Sequence, residues 1–449
     1  MKSTKEYYHS VTLDKDKCMG CTNCIKRCPT EAIRVRDGKA RIIDERCIDC
    51  GECILVCPYH AKIAVTDPLS AINEYRYKIA LPAPTLFGQF KNLKDCNMIM
   101  AALMKIGFDY VFEVALGADV VSELIKEKLK IPDIPKPLIS SACPAIVRLI
   151  QVRFPNLLNH LCRVESPMEV AAQMAKDEFS KLYGVPIEEI GAFFITPCAA
   201  KMTSIRNPIG NESSHVDGAI SILDIYGPIA SNLKSGVDVE ELHRASGAGL
   251  SWAITSGESN SLKIDNYLSV DGIQNVIPVL EEIENNRMSD LDFFEGLSCS
   301  GGCVGGPLTF ENGYVAKNRI RLLAKEIQNK SKKIMNLSYV KKNMNWQIQK
   351  NIIEKPVLKL DENIVMAIQK MESLERINKS LPGLDCGSCG SPSCRTLAED
   401  IVRGTASEMD CIFKLREKVR NLAEEMIELS EKMPAGREQK GKGENKLYE

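Results

Sequence analysis

One run of cysteines constrains this chain more than any other feature. Cys18-x2-Cys21-x2-Cys24-x3-Cys28-Pro29 recurs, with a period of 29 residues, as Cys47-x2-Cys50-x2-Cys53-x3-Cys57-Pro58. Thiolates are soft ligands that suit iron-sulfur clusters, and spacers this short hold three of them on one loop around a cubane. Zinc knuckles and disulfides need other spacings and lack the trailing prolines. No run approaches the roughly 18 apolar residues of a membrane span, and Met1 to Ser10 is polar, without a signal-peptide core, so a cytoplasmic location is expected. A reducing compartment keeps thiols unpaired, so 18 cysteines point to metal. Lys plus Arg is 58 against 59 for Asp plus Glu, with 44% apolar residues. That balance removes the electrostatic case for a nucleic-acid partner and the compositional case for disorder.

The repeated run resembles the bacterial two-cluster ferredoxins, in which the fourth cysteine of each run ligates the other cluster. The resemblance implies one 4Fe-4S cluster on Cys18, Cys21, Cys24 and Cys57, and another on Cys47, Cys50, Cys53 and Cys28. A last group, Cys386-x2-Cys389-x4-Cys394-x16-Cys411, lies among Gly383, Gly387 and Gly390, which let the backbone curl tightly around a metal centre. Four thiolates alone leave zinc and iron both open. The segment between Cys394 and Cys411 reads as one short helix. It resembles the single-cluster module of the B subunit of Rnf-type electron-transfer complexes and of corrinoid iron-sulfur proteins, which implies a third accessory 4Fe-4S cluster.

Three further strings carry chemistry: SSACPA at 140–145, TPCAAK at 196–201 and EGLSCSGGCVGGP at 295–307. Leu138 to Ser140 and Ala192 to Ile195 read as buried strands delivering Cys143 and Cys198 at their carboxyl ends, where open α/β sheets build sites. Gly301, Gly302, Gly305 and Gly306 imply that backbone approaches something bulky near Cys299 and Cys303. In this order the strings resemble the active-site motifs of the FeFe hydrogenases, over about residues 77–315. The resemblance implies an H-cluster, a 4Fe-4S cubane joined to a diiron subsite with CO, cyanide and dithiolate ligands. By that likeness Cys143, Cys198, Cys299 and Cys303 hold the cubane, and Cys303 also bridges to the diiron subsite. Lys201 would donate to one cyanide and the backbone N–H of Ala83, in the turn Pro82-Ala83-Pro84, to the other. Sixteen ligands for four cubanes leave only Cys96 and Cys162 of the 18; both sit in apolar stretches read as helical and are expected to be buried thiols.

Departures from the family pattern bear on the role. Catalytic members place a proton-passing cysteine just before the first cubane ligand, where this chain has Ala142, whose methyl neither donates nor accepts a proton. Thr196 and Leu297 replace two methionines of the diiron pocket, and Met168 a glutamine. These changes, with the terminal module, resemble the hydrogenases assigned a sensing role. The implied function is reversible dihydrogen oxidation and proton reduction, as a low-turnover hydrogen or redox sensor. The alternative is a hydrogenase-like iron-sulfur protein without the diiron subsite, acting in electron transfer or iron-sulfur assembly. Protons then need another route, for which Glu295 and Glu123 are the acidic candidates. The implied partners are dihydrogen and protons, an electron-exchange protein such as ferredoxin, separate maturation proteins and a signalling partner, since no kinase, phosphatase or PAS-like segment is recognisable. None of His9, His60, His160, His215 and His243 has the spacing of a metal ligand.

The resulting organisation is a two-cluster ferredoxin-like α+β domain over 1–66, a polar linker over 67–76, and an α/β hydrogenase core over 77–330. A helical connector follows over 331–378, then a small 4Fe-4S helical module over 379–413, an amphipathic helix over 414–432 and a disordered tail over 433–449. Ser166 and Glu169 fit a capping box with Pro167 in the first turn. Ile364, Ile368, Met371, Leu374 and Ile377 suggest a helix that docks the module to the core. Leu415, Val419, Leu422, Met426 and Leu429 repeat over about two heptads, short of a persuasive coiled coil. That face is expected to pack on the chain's own core, with a homodimer or partner contact as the alternative.

Overall fold

Four short strands, β1 (Val11–Leu13), β2 (Ile33–Arg36), β3 (Lys39–Ile42) and β4 (Lys62–Ala64), pair antiparallel as β1–β4 and β2–β3 around the repeated cysteine runs. Each run turns into a one-turn helix, Asn23–Arg27 or Glu52–Leu55, through a residue with positive φ, Thr22 at 67° and Gly51 at 79°. This computed structural model describes residues 7–91, 93, 95–233, 242–330 and 346–432. They form two compact units, 1–359 and 360–449. The proposed disordered tail and residues 331–345 of the proposed connector lie outside the described residues.

Among the described residues, seven parallel strands run through the rest of the first unit: β5 (Tyr77–Pro82), β6 (Tyr110–Val111), β7 (Leu138–Ile139), β8 (Ile190–Thr196), β9 (Gly218–Ser221), β10 (Tyr267–Asp271) and β11 (Phe293–Leu297). They form two sheets, ordered β6-β5-β8-β9 and β10-β11-β7. β8 is buried along its whole length because helices cover both faces, as parallel sheets require. One face of the first sheet packs on Val114–Leu129 and Pro167–Tyr183, the other on Asn97–Ile106 and Ile222–Leu233, giving two apolar layers. The connection between the ferredoxin-like part and β5 is more than a linker. Ile72 is buried in the core, and Asp67 accepts the Ala219 N–H at 2.8 Å and pairs with Arg206 at 2.6 Å. Polar side chains there serve the fold by pinning this stretch to β9.

Other expectations change on packing grounds. Ser166 is the N-cap of its helix with Pro167 behind it, but no capping box forms, because Glu169 reaches instead to Ser214 Oγ and the His215 N–H, both at 2.7 Å. Cys162 lies in an extended segment rather than a helix, with its N–H on the Ile139 carbonyl at 2.7 Å. Cys96 is the N-cap of Asn97–Ile106. Residues 346–359 are an extended strap, not a helix. Gln347 bridges to Val164, and the Gln151 side chain donates to the Ile353 carbonyl at 2.8 Å.

The second unit packs Ile364–Ser380 against Cys394–Val402, burying Leu374, Leu381, Leu397 and Cys411. Ile364, Ile368 and Met371 of the same stripe are exposed. Asn363 caps that helix by accepting the Val365 and Met366 N–H groups. Within its own unit the helix Ile412–Lys432 buries none of its side chains among the described residues, so the apolar face expected to pack is exposed there. Among the described residues no helix is long and apolar enough to cross a membrane.

Candidate active site and cluster cavities

The carboxyl ends of β5, β7, β8 and β11 meet at one cavity. Ala83 and Thr85 enter it beyond β5, Cys143 beyond β7, Cys198 and Lys201 beyond β8, and Cys299 and Cys303 beyond β11. Four cysteines separated by up to 160 positions in the chain thus line a single space. Burial first, and then the field of neighbouring cysteines, pushes the Cys198 thiol up to about 11 and that of Cys303 to about 12. Cys299 moves well upward for the same reasons. Four thiolates crowded out of water repel one another, so this donor set fits a polynuclear cation such as a cubane. Gly302 and Gly306 have a different reason from the one expected. A Cβ on Gly302 would fall 2.7 Å from Ile254 Cα, and one on Gly306 2.5 Å from the Pro197 oxygen, so the chain's own backbone is what these glycines approach.

Beyond the cysteines the cavity offers donors. Among the described residues the Lys201 ammonium has no hydrogen-bond or ion-pair partner. The Ala83 N–H, expected to face the site, is held by the Ile195 carbonyl at 3.3 Å as the β5–β8 ladder runs out. Two residues on, the Thr85 hydroxyl is buried, lines the cavity and has no partner. A cavity wall with an unpaired ammonium and an unpaired hydroxyl fits a bound group that carries acceptors.

Two buried acids complete the wall. Glu258 accepts from Ser140 Oγ at 2.7 Å with one carboxyl oxygen and leaves the other unpaired. Burial first, then Glu295, raises it to about 8, while Ser140 and Lys201 pull the other way. Burial also raises Glu295, although its carboxylate accepts from the Ser256 N–H at 3.0 Å, the Ser259 N–H at 2.9 Å, Ser259 Oγ at 2.7 Å and Ser269 Oγ at 3.1 Å. Two carboxyls that each disfavour the other's charge store a proton near neutral pH. Ser269 on β10 is half-buried.

Three smaller cavities hold the remaining cysteine groups. Cys18, Cys21, Cys24 and Cys57 line one, and Cys28, Cys47, Cys50 and Cys53 another. Backbone N–H groups of Ala40, Ala32 and Ala61 point at the sulfurs of Cys18, Cys28 and Cys57 from 3.2 to 3.4 Å, a donor set suited to cluster-bound thiolates. His9 Nδ1 meets Asp49 at 2.9 Å beside Cys47. Cys50 lines both its own cavity and the large one, so the second of these cavities adjoins the active site. In the other unit Cys386, Cys389, Cys394 and Cys411 surround a cavity of their own.

The family model of the iron only hydrogenase large subunit, C-terminal domain, matches residues 76–263 and 235–307, together more than half of the chain. The chain belongs to the iron-only hydrogenase family. A 4Fe-4S dicluster domain matches residues 10–58, and an Fe-S cluster model matches 381–413. The chain is 30% identical over 262 residues to the periplasmic [Fe] hydrogenase large subunit of Nitratidesulfovibrio vulgaris, covering 54% of this chain and 62% of that one. It is 25% identical over 403 residues to iron hydrogenase 1 of Clostridium pasteurianum, covering 72% and 70%. A shorter match, 37% over 89 residues, is to the cytosolic Fe-S cluster assembly factor nar1 of Aspergillus terreus, covering 20% of this chain and 15% of that one. The cofactors that go with these matches are accessory 4Fe-4S clusters and an H-cluster.

In this member of the iron-only hydrogenase family the positions read from the sequence as departures fall unevenly around the cavity. Ala142, Leu297 and Met168 line it, and Met168 is buried. Thr196 does not. Its hydroxyl is turned into the loop, accepting the Cys198 N–H at 3.0 Å, where it braces the cysteine. Glu123 does not line the cavity and is paired with Lys126 at 2.7 Å. Glu258 and Thr85 were not reached from sequence. Thr85 directly follows Pro82-Ala83-Pro84, which is the signal that pointed to this turn; Glu258 sits in a short helix with no motif of its own.

Proposed function

We propose that this chain is an FeFe hydrogenase that oxidises dihydrogen and reduces protons reversibly at an H-cluster, in a hydrogen- or redox-sensing role with low turnover. The observation that carries the reading is the convergence of Cys143, Cys198, Cys299 and Cys303 with Lys201 on one cavity. In this reading those cysteines hold the cubane half of the H-cluster. When bound, the H-cluster supplies the metal pair and the dithiolate base for heterolytic cleavage of dihydrogen. Lys201 and Thr85 fix and polarise the non-protein ligands by charge-assisted and neutral hydrogen bonds. The apolar wall of Leu297, Met168 and Ala142 excludes bulk water from the same space.

Ala142 cannot pass a proton, so Glu258 takes protons at the cavity and exchanges them with Glu295, which hands them to Ser269. The raised affinity of the acid pair for a proton supports this route. Electrons move between the active site and the cluster on Cys28, Cys47, Cys50 and Cys53, then the cluster on Cys18, Cys21, Cys24 and Cys57. Cys50 supports that order by touching both cavities. A third accessory cluster sits on Cys386, Cys389, Cys394 and Cys411. A cytoplasmic place of action, a ferredoxin-like electron partner, maturation proteins and a signalling partner belong to the same reading.

The second reading, a cubane-only protein of iron-sulfur assembly or electron transfer, is favoured by the nar1 match. It leaves the Lys201 ammonium and Thr85 hydroxyl without a role. Infrared spectroscopy after supplying the diiron precursor separates the two. Terminal CO and cyanide bands are expected; their absence from a protein whose cubanes are intact overturns the hydrogenase reading.

A further inference from the structure

The helix Ile412–Lys432 contains 21 residues, three heptads, and buries none of them. Ile412, Leu415, Val419, Leu422, Met426 and Leu429 recur at spacings of three and four, and each is between 37% and 71% exposed. A face of this kind is a coiled-coil seam, and within its own unit it has no partner among the described residues. Residues 433–449 contain only Met433, Ala435, Leu447 and Tyr448 as apolar side chains, too few to cover six positions.

The charges say what covers it. Residues 412–421 carry four cations and one anion, and residues 423–432 four anions and one cation. This polarity is the reverse of what the helix macrodipole favours, so it costs the isolated helix stability. Lys414 pairs with Glu417, Arg420 with Glu424 and Lys432 with Glu428 along the helix. Lys418 and Glu425, which flank the seam, have no ion-pair partner among the described residues.

We propose that this helix pairs antiparallel with the same helix of a second copy of the chain. In that arrangement Val419 faces the partner's Leu422, Leu415 the partner's Met426, and Ile412 the partner's Leu429. Lys418 then lies beside the partner's Glu425, twice by symmetry. A parallel pair would instead set cationic half against cationic half and anionic against anionic, which is repulsive. The antiparallel pair also places the two terminal cysteine cavities at opposite ends of the helix pair, about 30 Å apart at 1.5 Å per residue.

The test is the mass in solution of the intact protein with its clusters, measured anaerobically by light scattering across a dilution series. A species of twice 49.8 kDa is expected at tens of micromolar. Leu422→Glu, at an exposed position, is expected to give a folded monomer with unchanged iron content. Lys418→Glu and Glu425→Lys should each weaken the dimer about tenfold, and the double variant should restore it. A monomer at every concentration overturns the proposal, as does a dimer that tolerates Leu422→Glu. Failure of the double variant to restore what the single variants lose overturns the antiparallel orientation. A monomer in which this helix is protected from hydrogen exchange assigns the face to the chain's own surface and overturns it as well.

Discussion

Replacing Glu258 by glutamine isolates the proton route from the rest of the site. Gln keeps the size and an acceptor for Ser140 Oγ, which now sits 2.7 Å from the carboxylate, but it cannot take up and release a proton. A positioned acid-base group contributes on the order of 10²–10⁴-fold to rate, about 3–5 kcal/mol of barrier. Hydrogen evolution and oxidation by the loaded Glu258→Gln enzyme should therefore fall at least 100-fold, while the infrared bands of the cofactor stay in place. The same change has a signature in stability. With its folded pKa raised from 4.5 to about 8, Glu258 binds more proton folded than unfolded between those values. Stability is thus full below the unfolded value, declines as pH rises, by up to about 1.4 kcal/mol per pH unit, and levels off above the folded value. Glu258→Gln should flatten that decline, leaving the contribution of Glu295. Parent-like turnover in a variant with intact cofactor bands would refute the reasoning.

Other sites give independent expectations. Ala142→Cys places a donor and acceptor at the cavity wall, and hydrogen evolution by the loaded enzyme should rise roughly tenfold or more; no gain with an intact cofactor removes the idea that Ala142 limits turnover. Gly51→Ala combines a φ of 79° with a Cβ 2.5 Å from Pro307 Cγ. It should slow electron delivery from a reductant while sparing hydrogen–deuterium exchange at the active site, which needs no accessory cluster. Cys96→Ala and Cys162→Ala remove buried thiols, that of Cys162 raised to about 12 by burial, and iron content per chain should not change. A loss of iron in either variant would mean that the sixteen remaining cysteines are not the full ligand set.

How much of this was legible in the sequence depended on the range of the interaction. The repeated cysteine runs and the terminal group are written in spacers of two to four residues, apart from the longer step to Cys411, so their grouping could be read locally. The three strings of the core supplied Cys143, Cys198, Cys299, Cys303 and Lys201 through a resemblance; what brings them together is the order of two parallel sheets, which no local pattern encodes. The resemblance points to the Ala83 N–H, yet the ladder to Ile195 takes that group, and the turn offers the Thr85 hydroxyl. Glu295 opens one of the motif strings, and its side chain lines the cavity. Glu258 is a lone acid in Gly257–Leu262, and only burial against Glu295 makes it chemical. Likewise an apolar stripe from Leu415 to Leu429 shows that the face must be covered, and not by what. Residues 346–359 misled because a strap held by backbone hydrogen bonds has no period to read.

The central claim is that one cavity gathers Cys143, Cys198, Cys299 and Cys303 around a cubane, with a diiron pair on the Lys201 side. Anomalous scattering at the iron edge, from crystals of the loaded protein grown without oxygen, tests it most directly. The account predicts iron density touching all four sulfurs and a second, smaller iron centre between Cys303 and Lys201. Iron density that reaches only some of these cysteines, or a cavity with a cubane alone after complete loading, would contradict it.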